Sequence, residues 1–64
     1  MLERAILREL FDGLYTSTRE AEAQYRSLAE TATDPARKEQ FQRLARDGRR
    51  HIELTERLLE ILSE

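Results

Sequence analysis

The chain has 64 residues, with a single histidine and no cysteine. That histidine is His51, and Asp47 precedes it by four residues, a spacing that brings both side chains to one face of a helix. Carboxylate oxygen together with imidazole nitrogen suits iron and other first-row metals. Glu22, in the other half of the chain, is a third candidate ligand, and two copies of Asp47, His51 and Glu22 in a dimer would form a carboxylate–imidazole site. Tyr25 offers a phenol that either packs in a helical seam or stands beside such a site. Other chemistries lack their parts. Without cysteine there is no thiolate nucleophile, zinc-thiolate site, iron–sulfur cluster or disulfide scaffold. With one histidine, no serine suitably placed and no glycine-rich loop, neither a catalytic triad nor a phosphate cradle can be built. Hydrolytic activity is not expected, and a non-enzymatic role is favoured.

The elements that must position these residues are helices. Helix formers dominate, and the one strong breaker is Asp34-Pro35, near the middle. Asp34 suits an N-cap and Pro35 the first helical position, where a missing N–H costs nothing. The pattern predicts an all-α hairpin in one domain over 1–64, with a helix over about 2–32, a turn at 31–34 and a helix over about 35–63. In the first half Leu7, Phe11, Leu14, Thr18, Ala21, Tyr25, Leu28 and Ala32 alternate at spacings of four and three. Phe41, Leu44, Gly48, His51, Thr55, Leu58 and Leu62 do the same in the second half, flanked by Ala45, Ile52 and Leu59. Gly13 followed by Ser17 and Glu20 offers a competing three-helix reading, but Leu14 and Thr18 hold the phase set by Leu7 and Phe11, so the unbroken helix is expected.

A second stripe, Leu2, Ile6 and Leu10, runs beside the first seam, and Leu54 and Ile61 widen the apolar face near the C-terminus. Two helices can cover one stripe each. The surplus predicts a homodimer or higher homo-oligomer, most simply a four-helix bundle of two hairpins. A chain this short also buries too little surface alone to offset its conformational entropy easily.

The seams are apolar at their ends and odd in their centres, where Thr18 is expected level with Gly48 and His51. This pattern, with Ala21-x-x-x-Tyr25, an Asp-Pro turn, Phe41-x-x-Leu44-Ala45 and Arg50-His51-Ile52-Glu53-Leu54, resembles the helical hairpin of rubrerythrins and other ferritin-like proteins. The interval from Tyr25 to His51 is similar to that of the two-helix encapsulated ferritins. The resemblance spans roughly residues 14–62. It implies a hairpin that dimerises into a ferritin-like four-helix bundle around a di-iron site, held by a glutamate of the first helix and a Glu-x-x-His of the second. Thr18 occupies the position of that first glutamate and Gly48 that of the second, while His51 matches the histidine. The resemblance therefore implies a degenerate di-iron site, no cofactor or at most iron or another first-row metal, and a structural or binding role.

Composition limits the partners. Thirteen acids against eleven bases give a formal charge of −2, so no overall basic field attracts nucleic acid or an anionic membrane. Arg43, Arg46, Arg50 and Arg57 form a stripe on the second helix, but Glu39, Glu53, Glu56 and Glu60 interleave with it, as on an ordinary solvated face. Met1-Leu2-Glu3-Arg4 lacks the apolar stretch of a signal peptide, and a cytoplasmic location is expected.

Overall fold

The computed structural model describes residues 3–63. They form two helices of equal length, α1 (Arg4–Thr31) and α2 (Pro35–Leu62), packed antiparallel along a rod of 48 × 16 × 14 Å. No strand occurs among the described residues. Helix α1 passes through Gly13 without a break. Leu2, the first member of the second stripe, lies outside the described residues.

Three residues make the turn. The Ala32 N–H still bonds to the Leu28 carbonyl at 3.0 Å, and the backbone then becomes extended at Ala32 and Asp34. Asp34 is the N-cap of α2 and Pro35 follows it. The cap works through the backbone, because the Asp34 carbonyl accepts from Lys38 N–H at 3.0 Å while its carboxylate makes no capping bond.

The helices touch along small side chains. Among the described residues, Ala29 and Ala45 are the buried apolar ones, Thr55 and Glu22 the buried polar ones, and no large side chain is fully buried. The helices approach closely at Gly48, where a Cβ would lie 3.2 Å from the Glu22 Cβ. A side chain at this point would press on the backbone-proximal part of the facing helix, which explains a glycine inside a helix despite its propensity cost of about 1 kcal/mol.

This contact line corrects the expected seam by a rotation. Most of the expected seam is at least half-buried, namely Leu7, Phe11, Thr18, Ala21, Tyr25 and Ala32 of α1 and Phe41, Gly48, Thr55, Leu58 and Leu62 of α2, but Tyr15, Glu22 and Ala29 and, in α2, Ala45, Ile52 and Leu59 join it on one side. Leu14, Leu28, Leu44 and His51 are exposed. The physical reason is size. Alanine, glycine and threonine allow two helices to close on each other, and Leu14, Leu28 and Leu44 are then left on one side of the joint.

That side is an open face. Ile6, Leu10, Leu14 and Leu28 from α1 stand on it with Leu44, Leu54 and Ile61 from α2, with Leu10 and Ile61 60% and 59% exposed. The accessible surface of the chain is 5321 Å². A compact monomer of 7.6 kDa would expose about 4,300 Å². No helix among the described residues is long and apolar enough to cross a membrane.

Candidate functional site

The middle of the open face carries the polar layer. A depression of about 400 Å³ there is lined by Ser17, Thr18, Ala21 and Tyr25 of α1 and by Leu44, Asp47, Gly48 and His51 of α2. A second depression of about 200 Å³ continues toward the open end, between Leu14, Thr18, His51, Leu54, Thr55 and Leu58. Thr18, Gly48 and His51 thus meet at one level. Since α1 and α2 have the same length, this level lies at the midpoint of the rod.

The threonine hydroxyls of the layer are satisfied within their own helices. Thr18 Oγ1 donates to the Leu14 carbonyl at 2.8 Å, and Thr55 Oγ1 to the His51 carbonyl at 2.8 Å. Both are back-bonds of the kind threonine makes inside helices, which leave the hydroxyl little to offer a neighbour. His51 is exposed and makes no hydrogen bond to Thr18. The imidazole of His51, the carboxylate of Asp47, the phenol of Tyr25 and the hydroxyl of Ser17 are therefore the polar groups that this depression presents to whatever covers it.

Glu22 stands apart from them. Its side chain is only 10% accessible, and its carboxylate lies 3.6 Å from Arg26 and 4.0 Å from Arg49. Those arginines line a different depression, of about 310 Å³, with Ala29, Gln42, Ala45 and Arg46. Glu22 is thus neither at a solvated seam edge nor beside Asp47 and His51. It is wedged against Gly48 and held by two partly exposed guanidinium groups, an arrangement in which each pair contributes about 0 to 1 kcal/mol. Among the described residues of one chain, no group of three or more histidine, aspartate or glutamate side chains could hold a metal ion.

Two residues outside the expected seam take part in the joint. Tyr15 donates its hydroxyl to Glu56 at 3.2 Å, tying the open end of α1 to α2, and its ring lies 5.5 Å from the Arg19 guanidinium carbon. Arg49 reaches Glu22 across the helices, a pairing that charge spacing within α2 cannot reveal. Of the arginine stripe, Arg43 pairs with Glu39 at 3.6 Å on the same helix.

Comparison with protein-family models, with curated proteins and with solved structures finds no match to the chain.

Proposed function

We propose that the protein is a homodimerisation module in which two hairpins close their open faces on each other to form a four-helix bundle. The observation that carries this reading is the concentration of exposed large apolar side chains on one face: Ile6, Leu10, Leu14, Leu28, Leu44, Leu54 and Ile61. The surface arithmetic agrees in size. The excess over a compact monomer is about 1,000 Å², and a standard protein interface takes about 800 Å² from each partner. A second copy of the same hairpin offers an apolar face of matching length and width. The likeness of the sequence to ferritin-like hairpins favours the same architecture, with Thr18 and Gly48 standing where the di-iron glutamates would be.

Sedimentation equilibrium at micromolar concentration tests the proposal. A dimer or larger assembly is expected, and a cooperative folded monomer at all concentrations overturns it.

A second reading has its own observation, that Asp47 and His51 line one depression with Tyr25 at the centre of the open face. In a dimer two copies of that depression would face each other, and the two imidazoles and two carboxylates would suit a single first-row metal ion. Glu22 does not enter this set, because its carboxylate is engaged by Arg26 and Arg49. Metal analysis of protein purified without a tag decides the matter. A stoichiometric metal lost in His51→Ala supports a metal-handling role, and metal-free dimers leave a structural or binding role.

A further inference from the structure

Two hairpins can close face to face in two ways with two-fold symmetry. Rotation about the long axis of the rod sets α1 of one copy beside α2 of the other, with both turns at the same end. Rotation about an axis across the rod sets α1 beside its own copy and α2 beside its own, with the turns at opposite ends. All neighbouring helices are antiparallel in both, so helix dipoles do not choose between them. The midpoint position of Thr18, Gly48 and His51 does not choose either, since the layer meets its copy in both.

The edges of the open face do choose. By helical phase, Glu9 and Glu20 lie on the outer edge of α1, and Arg43, Arg50 and Arg57 on the outer edge of α2. All five are exposed. Arg43 is paired with Glu39 on its own helix, whereas Glu9, Glu20, Arg50 and Arg57 have no ion pair among the described residues. The Glu22–Gly48 contact sets the register between the helices, and in that register Glu20 is level with Arg50, while Glu9 is about one turn from level with Arg57. When α1 meets the α2 of a partner, acid therefore meets base. When each helix meets its own copy, Arg50 faces Arg50 and Glu20 faces Glu20.

The apolar residues make the same choice independently. Ile6, Leu10, Leu14, Leu54 and Ile61 crowd the open end, and only Leu28 and Leu44 serve the half near the turn. Gln24 and Gln40 lie two heptads from Leu10 and Leu54 on the same stripes. With the turns at one end, the wide apolar halves cover each other, and Gln24 and Gln40 both stay in the half near the turn. With the turns at opposite ends, leucine and isoleucine are set against glutamine.

We infer that the second copy docks by rotation about the long axis, so that α1 of each chain lies against α2 of the other and Glu20 pairs with Arg50 of the partner subunit. The inference rests on the homodimer reading and adds to it the orientation, the helix pairs and the charges that select them.

Since the chain has no cysteine, Thr33→Cys in the exposed turn gives one labelling site per chain for a nitroxide pair. Adjacent helices are about 8–10 Å apart, so dipolar spectroscopy should read below about 30 Å between the two turns. Turns at opposite ends would read above about 40 Å, the scale of a 28-residue helix, and would overturn the orientation while leaving the dimer intact. Absence of dipolar coupling in protein that sediments as a monomer would overturn the homodimer reading and this inference with it. A second pair of variants reads the charges. Glu20→Lys or Arg50→Glu alone should weaken dimerisation about fivefold at low salt, and the double variant should restore it. Single variants that dimerise as the parent does would count against the Glu20–Arg50 pairing.

Discussion

The two sides of α1 and α2 solve different packing problems. Where the helices of one chain meet most closely, small residues stand, Ala29, Ala45, Gly48 and Thr55, with Glu22 wedged against the glycine and Tyr15, Ile52 and Leu59 half-buried beside them. On the adjoining face stand Leu10, Leu14, Leu28, Leu54 and Ile61, which in most domains would be the core. Small residues bring backbones close but remove little apolar surface from water. Burial of large aliphatic side chains is worth about 1.5 to 3 kcal/mol each, so most of the available stabilisation lies outside the single chain. In the proposed dimer the hairpin joint would set geometry and the open face would supply the drive to associate.

The sharpest way to break this contrast is a charge on the open face. Leu54→Asp is expected to weaken dimerisation by at least about 3 kcal/mol, because an unpaired carboxylate would be trapped in an apolar interface. Sedimentation velocity with circular dichroism should find monomers that have lost much of their helix at micromolar concentration. If the variant dimerises as the parent does, the open face is not the interface.

A milder change should separate the chain from the assembly. Leu14 is 50% exposed in the hairpin, so Leu14→Ala would cost little if it stayed so. Covered by a second copy, it should cost about 2 kcal/mol or more as a large-to-small change. Urea melts at two protein concentrations distinguish these cases, and a loss below about 0.5 kcal/mol would speak for a free leucine.

The glycines sharpen the comparison from the side of the joint. Both lie inside helices, and alanine should gain about 1 kcal/mol of helix propensity at either. A Cβ at Gly13 meets nothing within 4 Å, whereas one at Gly48 comes to 3.2 Å from Glu22. Gly13→Ala should therefore stabilise by about 1 kcal/mol, and Gly48→Ala should fall short of it by a comparable amount. Equal gains in thermal melts would mean that the helices are not closely apposed at Gly48.

The smallest effect is expected at Arg46, which lies on the polar face beside the buried alanines. Arg46→Ala should change stability by less than about 0.5 kcal/mol. A larger loss in the same melts would move the essential contacts to that side.

The hairpin itself was legible in the sequence, because Asp34-Pro35 marks the turn through backbone chemistry and the spacings of three and four persist through each half. The rotation of the contact line was not. Periodicity finds an apolar stripe, but Leu14, Leu44 and His51 share that stripe's phase with the true joint to within one residue. Side-chain size accounts for part of the difference, since Ala29, Ala45 and Gly48 let the helices close while Leu14, Leu28 and Leu44 are left beside the joint. The polar layer was legible as a level, since Thr18, Gly48 and His51 do meet. The reason for its glycine was not, because it depends on Glu22 approaching across the joint. The burial of Glu22 was hidden for the same cause, as Arg49 reaches it from the other helix.

The thinness of the joint has a calorimetric consequence. Heat capacity change and denaturant slope both scale with the surface that unfolding exposes. With no large side chain fully buried among the described residues, an isolated hairpin has little to expose, so its melting would be broad and its heat capacity change small for 64 residues. In an assembled pair the leucines of the open face join the unfolding unit, which makes the transition sharper and ties its midpoint to protein concentration. Dilution should then do more than shift a binding equilibrium: it should remove the cooperativity of the fold itself.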